Sequence, residues 1–337
     1  MYYFIVNPAS GSGKGILVWE KIKTELEQLG VSYRSFLLSG TEEAKKLAQG
    51  LSSLKYPVTV IAVGGDGTIN EIINGLTSFE HITLGCIPTG SGNDFVRGLG
   101  LARDPLEALQ AILHPKKVTE INVGLTLCPG AASKKAEIPG ANAASEKAGA
   151  PGSNAASEKA GTPGFSYAVS SGIGFDAAVC NSVLHSRLKN LLNRFHSGKL
   201  IYLFTALWQL FTMKRQTMQI TIDGKESHIY ERAYFAAAMN LRYEGGGFMF
   251  CPEALPGDDH LDLLVANGIS RLQALLLLPR ALFGKHVGHT GVHIIRCQKA
   301  DIRIPEKTCL HTDGEIPGFY RHVTFTLREE KLPVILR

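Results

Sequence analysis

Apolar and polar positions follow two different patterns along the chain, and the first pattern occupies residues 1–125. Short apolar runs, typical of strands buried on both faces, lie at 2–6 and 58–63, and further strands are predicted at 31–38, 82–87 and 118–125. Between them, apolar residues that recur every three or four positions predict helices at 16–29, 42–51, 69–76 and 106–113. This order predicts an α/β domain whose binding site lies at the carboxyl ends of parallel strands.

The second pattern begins at residue 165 and consists of shorter, alternating runs separated by turns. Strands are predicted at 218–222, 234–239, 261–266 and 292–304. A β-rich second domain is therefore expected over residues 165–317. A last strand at 323–327 is predicted to return to the first domain, so that the segment from about 318 to 337 completes the α/β unit.

A segment of very different composition separates the two patterns. Residues 140–151 read GANAASEKAGAP and residues 152–163 read GSNAASEKAGTP, a near-identical tandem repeat. Almost no large apolar side chain occurs from 129 to 164, so nothing there offsets the entropy of ordering the chain. We predict that residues 129–164 form a disordered, low-complexity insertion in a loop.

Composition narrows the class of protein without choosing a function. The 337 residues are 45% hydrophobic and 19% charged, which allows two domains and excludes global disorder. The formal net charge of +5 is mild and requires no particular partner. Six cysteines without CxxC spacing argue against a zinc site and for reduced thiols in the cytosol. No secretory signal is predicted, and the longest apolar run, 200–213, is shorter than the roughly 20 residues of a bilayer span.

Two apolar stretches, at 188–211 and 275–283, also carry or adjoin basic residues, among them Arg280 and Lys285. Packing against the core is the favoured interpretation of both stretches. Contact with an anionic membrane surface is the alternative.

The strand at 58–63 runs into a glycine-rich turn, Gly64-Gly65-Asp66-Gly67, which opens a helix. Glycine permits the backbone angles of such a turn, and the amide groups that converge there suit a phosphate. Asp66 adds a carboxylate at the same point, which is most simply explained by Mg²⁺ between it and bound phosphates. Capping of the helix by Asp66 is the structural alternative.

Two further loops follow strands of the first domain. The loop from Asn7 to Gly15 reads NPASGSGKG and lacks the GxxxxGK[ST] spacing of a phosphate loop. The second, Pro88 to Arg97, reads PTGSGNDFVR and enters a helix. Thr41 precedes the helix at 42–51 and is predicted to cap it.

Together, GGDGTINEIINGL, NPASG and GSGND resemble the diacylglycerol kinase catalytic domain family, which includes soluble bacterial diacylglycerol kinases and the sphingosine and ceramide kinases. Three later segments agree in order: SGIGFDA at 171–177, PEALPGDDHL at 252–261 and HTDGE at 311–315. The resemblance implies a Rossmann-like α/β nucleotide-binding domain followed by a β-sandwich domain, with ATP and Mg²⁺ as cofactors and the lipid acceptor entering between the domains.

The resemblance also assigns roles to individual positions. Asp66 and Asp94 would organise the catalytic Mg²⁺, and Glu315 would be the base that takes the proton of the acceptor hydroxyl. Asp259, with the backbone carbonyls of Pro256 and Leu261, would hold a structural Mg²⁺. Asp176 would contact a lipid head group, and a structural cap is an equal alternative. Nucleotide contacts would come from Asn7, Pro8, Ala9, Ser10, Gly11, Thr41, Gly64, Gly65, Asp66, Gly67, Thr68, Asn70, Glu71 and Ser91.

Two positions depart from the family pattern. Asn122 stands where the family has an aspartate that helps to hold the catalytic metal network, so weaker metal binding is expected. His260 stands where the family has a glycine, which calls the geometry of the turn into question.

The activity implied is ATP-dependent phosphorylation of a lipid hydroxyl, with diacylglycerol as the default acceptor and phosphatidic acid as the product. The expected partner is a lipid at the membrane surface and not a nucleic acid. The expected location is cytoplasmic, and peripheral contact with the inner face of the cell membrane is compatible with this activity. A homodimer is compatible with it as well. An NAD kinase shares GGDGT, but Asn70-Glu71 and the GSGND segment favour the lipid kinases. A nucleotide-binding regulator without catalysis is the other alternative, which intact Asp66, Asp94 and Glu315 oppose.

Overall fold

The computed structural model describes residues 1–130, 162–184 and 198–336, and the side chains of 198–203 are not described. The insertion predicted at 129–164 therefore lies almost wholly outside the described residues. The first part of the stretch at 188–211 lies outside them as well.

The first domain is built on a six-stranded sheet with the order β2-β1-β3-β4-β15-β5. All neighbouring pairs are parallel except β15 and β5. Its strands are β1 (Tyr2–Val6), β2 (Tyr33–Leu37), β3 (Val58–Gly64), β4 (Ile82–Pro88), β5 (Val118–Ile121) and β15 (Leu332–Ile335). Its helices are α1 (Ser10–Gln28), α2 (Glu43–Ser52), α3 (Asp66–Gly75), α4 (Asp94–Gly98) and α5 (Pro105–Leu113).

Helices cover both faces of this sheet, which explains why its central strands are apolar at successive positions. Phe4 of β1 packs against Trp19 of α1, with 5.4 Å between the ring centroids. The next residue, Ile5, points to the other face, into the cluster that contains Ala48 of α2 and Ile73 of α3. The carboxyl ends of β1, β3 and β4 are left open at one edge.

The second domain is a nine-stranded sheet with the order β12-β11-β10-β8-β13-β14-β6-β7, and β9 pairs with both β10 and β13. Its strands are β6 (Gly124–Leu127), β7 (Gly164–Tyr167), β8 (Ser170–Gly174), β9 (Gln216–Ile222), β10 (Glu226–Met239), β11 (Leu261–Asn267), β12 (Val292–Cys297), β13 (Ala300–Thr312) and β14 (Glu315–Leu327). Its helices are α6 (Phe175–Leu184), α7 (Gly198–Thr212) and α8 (Arg271–Ala281).

The long strands β10 and β13 change partners along their length, and this folds the sheet into a sandwich. Register shifts fall between Tyr230 and Ala233 in β10 and between Arg303 and Thr308 in β13. The first part of each strand, up to Ala233 in β10 and Arg303 in β13, pairs with β9, and the last part pairs with β8. The predicted fold class, an α/β domain followed by a β-sandwich, is confirmed.

Three predicted strands are wrong in detail. The stretch at 292–304 is divided at Gln298-Lys299 between β12 and β13. The stretch at 118–125 is not one strand either, because it passes from the first sheet to the second and is broken at Asn122-Val123. The run at 323–327 does not return to the first domain, because it continues β14, which pairs with β13 and β6. The chain then continues through residues 328–331, and β15 makes the return as the antiparallel partner of β5.

The start of α2 also differs from the prediction, because Thr41 does not cap it. The cap position is Glu42, which has a left-handed φ of 64°. The turn is held instead by Glu43, whose carboxylate accepts bonds from the backbone N–H of Ser39 at 2.7 Å and from its hydroxyl at 2.6 Å.

All six cysteines lie in the described part of the chain, and each is a free thiol. Within that part, no helix combines the length and apolar character that crossing a bilayer requires.

Candidate active site

Three loops meet at the open edge of the first sheet, and glycines let their backbones touch. A methyl group on Gly90, after β4, would lie only 2.7 Å from the Cα of Gly65, after β3. The Thr89 N–H also donates to the Gly64 carbonyl at 2.9 Å. Larger side chains would separate these loops, so the glycines set the width of the site.

The loop after β1 is held in a left-handed conformation. Gly11, Ser12 and Gly13 all have positive φ, and the regular part of α1 begins only after them. At Gly11 a methyl group would lie 2.0 Å from the Thr89 carbonyl, so glycine is required there. Successive amide groups in such a conformation form a concave anion site.

Side chains tie this loop to the other two. The Asn7 amide donates to Thr68 Oγ1 at 3.1 Å, and its Oδ1 accepts the Ala9 N–H at 3.1 Å. Ser10 Oγ is hydrogen-bonded to Thr89 Oγ1. Asn7, Ser10 and Thr68, which were predicted to contact a nucleotide, therefore also build the framework of the predicted phosphate site.

Asp66 and Asp94 lie together beside this framework. The Asp66 carboxylate accepts the backbone N–H groups of Asp94 at 3.1 Å and of Phe95 at 3.0 Å. Asp94 accepts from the Arg97 guanidinium at 2.6 Å and from the Gly246 N–H at 2.6 Å. Gly246 belongs to the second domain, so Asp94 also joins the two domains.

The pKa values of Asp66 and Asp94 are both raised, by burial and, for Asp94, also by the charge of its neighbour. Burial raises the pKa of Asp66 above its ordinary value, against the effect of its N–H donors. Burial and the charge of Asp66 raise the pKa of Asp94 to about 6. Two hard oxygen donors that repel each other fit a divalent cation, whose charge would relieve both penalties. Asp66 and Asp94 therefore fit the Mg²⁺ that the family implies.

Glu315 reaches the same site from the second domain. Asp313 and Gly314 form the turn between β13 and β14, with φ values of 50° and 86°, as an Asp-Gly hairpin requires. Glu315 pairs with Thr312 at the start of β14. A methyl group on Gly67 would lie 3.0 Å from Glu315 Oε1, which puts this exposed carboxylate against the glycine turn before α3.

Four other predicted nucleotide contacts have different surroundings. Asn70 is buried, and its amide donates to Asp313 at 3.0 Å and to the Ser166 carbonyl at 3.3 Å. Burial raises the pKa of half-buried Glu71. Thr41 and Ser91 are exposed. The structure thus uses Asn70 to join the domains, and the nucleotide roles of all four stay predictions.

Asp313 is a residue that the sequence pattern did not single out. Its buried carboxylate accepts the N–H groups of Ala168, Val169 and Ser170 at 2.8–3.0 Å, in addition to the Asn70 amide. Burial raises its pKa, and these donors oppose the rise. Asp313 therefore anchors the turn that presents Glu315.

A buried cluster of Asp176, Glu244 and His311 was also missed, because its members come from three distant segments. His311 Nε2 lies 3.0 Å from Asp176 and 3.2 Å from Glu244, while the Gly314 N–H donates to Nδ1 at 3.3 Å. Burial opposes protonation, but the two carboxylates raise the pKa of His311 well above its usual value. Because His311 contacts both carboxylates through Nε2 and the Gly314 N–H through Nδ1, the cluster is a hydrogen-bonded support for the Glu315 turn.

The predicted structural metal turn is already occupied by protein contacts. The Lys331 ammonium lies 2.8 Å from Asp259 Oδ1 and donates to the Gly257 carbonyl at 3.1 Å. The Pro256 carbonyl accepts the Asn122 N–H at 2.5 Å, and Leu261 begins β11. A metal at this turn would have to displace the ammonium, so these residues do not fit Mg²⁺ as they stand.

The two departures from the family pattern have structural explanations here. Asn122 is buried, donates to Asp259 Oδ1 and accepts the Asp259 N–H, both at 3.0 Å. An aspartate at 122 would repel Asp259, so asparagine suits this partner. The left-handed position of this turn is Asp259, with φ of 64°. His260 has no positive φ, so the turn does not require glycine at position 260.

An apolar pocket lies between the second sheet and helices α6, α7 and α8. Its empty volume is about 570 Å³, and Phe175, Leu210, Phe235, Leu277 and His286 are among its lining residues. The Nε2 of His286 is hydrogen-bonded to the Phe250 carbonyl. The surface that lines the pocket is almost entirely carbon.

Comparison with known proteins agrees with this architecture. The family model described as the diacylglycerol kinase catalytic domain matches residues 1–125. The model described as the YegS C-terminal NAD kinase beta sandwich-like domain matches residues 168–336. The chain belongs to the diacylglycerol kinase catalytic domain family, with a C-terminal domain of the YegS type, and the resemblance seen in the sequence is confirmed.

Similar proteins match over nearly their whole length. The Bacillus subtilis protein named "Putative lipid kinase YtlR" is 28% identical over 320 residues, which cover 94% of each chain. A diacylglycerol kinase of Bacillus subtilis is 24% identical over 338 residues, covering 97% of this chain and 96% of that one. The crystal structure of a diacylglycerol kinase from Bacillus anthracis covers 100% of this chain and 96% of its own, with a TM-score of 0.65 and 21% identity, and shows the shared fold.

Proposed function

We propose that this protein is an ATP-dependent lipid kinase that phosphorylates diacylglycerol to phosphatidic acid. Its family supports the kinase class. The observation that carries the proposal is the position of Glu315, which brings a carboxylate from the second domain to the glycine turn of the first. Phosphoryl transfer needs a phosphate site and a proton acceptor at one place, and these loops supply both.

Each group has a defined task in the proposed reaction. The amide groups of the glycine loops position the phosphates of the nucleotide. Asp66 and Asp94 would hold Mg²⁺, which when bound would supply positive charge to the phosphates of the nucleotide. Arg97 and the Gly246 N–H fix the Asp94 carboxylate. Glu315 accepts the proton of the acceptor hydroxyl, which makes that oxygen the nucleophile.

The apolar pocket supports a lipid as the acceptor. Its lining is almost entirely carbon, which suits a hydrocarbon chain. Phe175 lines the pocket, and the next residue, Asp176, bonds His311 beneath the Glu315 turn. The start of α6 therefore has the pocket on one side and the support of the catalytic turn on the other.

The test of this function is ATP consumption with Mg²⁺ against diacylglycerol, ceramide, sphingosine and NAD⁺, with the phosphorylated product identified by mass spectrometry. We expect phosphatidic acid from diacylglycerol. Turnover of NAD⁺ alone would establish the NAD kinase alternative. ATP binding without turnover of any acceptor would establish a regulator.

Glu315→Gln tests the assignment of the base, because glutamine keeps the shape but cannot take a proton. We expect kcat to fall about 10²–10⁴-fold, the usual contribution of a positioned base, with unchanged ATP affinity and melting temperature. Glu226→Gln, which alters an exposed carboxylate on β10, is the matched control. Unchanged kcat with a lower melting temperature would make Glu315 a turn residue.

Asp66→Ala tests the assignment of the metal site. The variant removes a carboxylate that would organise Mg²⁺, so most turnover should be lost while the fold is retained. Wild-type turnover by the purified variant would place the active site elsewhere.

A further inference from the structure

Helices α7 and α8 expose large apolar side chains in regular stripes. On α7 the stripe has helical spacing, and on α8 it continues past the helix end. We name this set the helix surface, and each member is more than half exposed: Phe204, Trp208, Phe211, Leu272, Leu276 and Phe283.

Helices α7 and α8 each have two apolar sides. One side is buried against the apolar pocket, and the other is the helix surface. Leu210 of α7 and Leu277 and Ala281 of α8 face the apolar pocket and are buried. A helix on the outside of a globular protein is expected to be polar on its outer face. Clustered exposed aromatic and leucine side chains therefore indicate a partner.

The charged residues on the segments that carry the helix surface are basic. Residues 204–222 contain Lys214 and Arg215, residues 263–300 contain five Lys and Arg, and neither segment contains Asp or Glu. The formal charge of the whole chain is only +5, so the basic residues are concentrated here. Arg271, Arg280 and Lys285 are exposed next to the stripes, and Lys214 forms an exposed pair with Glu306.

We propose that the helix surface docks on a lipid bilayer that contains anionic head groups. Aromatic side chains, above all Trp208, would enter the interface between head groups and acyl chains, and the basic residues would bind the anionic heads. This inference deepens the proposed function, because the pocket lies directly beneath the same two helices. An acceptor could then leave the bilayer for the pocket without crossing water.

Vesicle sedimentation tests the docking without ATP or an acceptor. The full chain is mixed with phosphatidylcholine vesicles that contain or lack phosphatidylglycerol, and the bound fraction is measured. We expect binding to the anionic vesicles and much weaker binding to the neutral ones. Because no turnover is needed, a failed kinase assay and a failed docking assay are separate results.

Two double variants separate the apolar and the charged contributions. Trp208→Ser with Phe283→Ser should lower the vesicle partition coefficient about tenfold or more, because two large apolar side chains no longer leave water. Arg280→Gln with Lys285→Gln should lower it about fivefold for each charge on anionic vesicles only.

The matched control is Leu17→Ser with Ile229→Ser, which are 64% and 67% exposed but lie on α1 and on the β9–β10 hairpin. Circular dichroism and the melting temperature establish that all variants are folded. An equal loss of binding in the control, or a wild type that binds neither kind of vesicle, would overturn the proposal. So would an apolar variant that turns a dimer into a monomer with unchanged vesicle binding, because the helix surface would then cover a second copy.

Discussion

At Gly67, an added methyl group would meet only one atom of the described residues, the Oε1 of Glu315 at 3.0 Å. This atom ends a flexible side chain, and Gly67 lies in α3 without a positive φ. Gly67→Ala should therefore leave the fold intact, or stabilise it by about 0.5–1 kcal/mol as expected in a helix. It should displace the Glu315 carboxylate and lower kcat by about 10–10²-fold, as misplaced catalytic groups do.

Gly50→Ala is the control for this variant. Gly50 also lies in a helix, α2, and a methyl group there would meet nothing within 4 Å. Its thermal stability should rise by a similar amount, with full activity. Full activity of Gly67→Ala in the same assay would show that Glu315 is not confined to its position against the turn.

His286 should make stability depend on pH. Its Nε2 faces the Phe250 carbonyl at 2.9 Å, and Nδ1 is buried with no hydrogen-bond partner among the described residues. Burial lowers the pKa of His286 below its ordinary value, against the effect of the Phe250 carbonyl. The unfolded chain therefore binds a proton that the folded state resists, and stability is lost as the pH falls below about 6.5.

Urea unfolding of wild type and His286→Gln at pH 7.5 and 5.5 measures this loss. Glutamine can still donate to the Phe250 carbonyl but does not titrate, so the variant should lose less stability on acidification. His228→Gln, at an exposed site, should behave like the wild type. Identical pH dependence of wild type and His286→Gln would show that His286 does not resist protonation.

At the scale of elements, the turn before β11 is bound to the segment before β15 by a lysine. Lys331 contacts Asp259 and Gly257 where the family resemblance placed a metal ion. We expect the melting temperature of the wild type to be the same in Mg²⁺ and in EDTA. Lys331→Ala should lower the melting temperature slightly and recover part of the loss with Mg²⁺, because Asp259 then lacks a cation. A wild type that loses stability in EDTA would restore the metal to this turn.

Local patterns predicted the elements well, and long-range contacts decided what they missed. The β3 strand, its glycine turn and α3 follow from neighbouring residues, as does the Asp-Gly hairpin before Glu315. The break after β5 does not, because Asn122 is fixed by Asp259 and by Asn240, which donates to its carbonyl at 2.7 Å. The local pattern of residues 118–125 cannot show that its two halves belong to different sheets.

The site residues that stand in local motifs were predicted, and those that meet only through long-range contacts were not. Asp66, Asp94 and Glu315 stand in recognisable strings, and the structure brings them to one edge. The cluster of Asp176, Glu244 and His311 has no characteristic spacing, because its members meet only when three segments fold together. Asn70 stands in the strongest string of all, and its contacts are nevertheless with the second domain.

For the molecule as a whole, the insertion joins two strands that are already neighbours. β6 and β7 are antiparallel, Leu127 pairs with Gly164, and the Cys128 N–H donates to the Pro163 carbonyl at 3.0 Å. A short Gly-Ser bridge in place of residues 131–161 should therefore leave the fold and turnover nearly unchanged. Closing a flexible loop contributes only about 0.6 kcal/mol for each doubling of its length.

Removal of the whole of 129–164 is the informative comparison. That deletion also takes away the Pro163 carbonyl and the Gly164 pairing, so it should lower the melting temperature further than the shorter deletion. Loss of folding with the shorter deletion would show that the repeat is a structural element.

The central position of β15 has a consequence for the order in which the protein is made. Its residues leave the ribosome after those of the second domain, yet they lie inside the first sheet, between β4 and β5. Domains generally fold as they are synthesised, at about 5–20 residues per second. Here the first domain cannot close its sheet until the second has been made, so the nascent α/β unit has to wait with an open gap between two strands. A stalled or truncated chain would expose the unpaired edges of β4 and β5, and we expect chaperones to bind such chains.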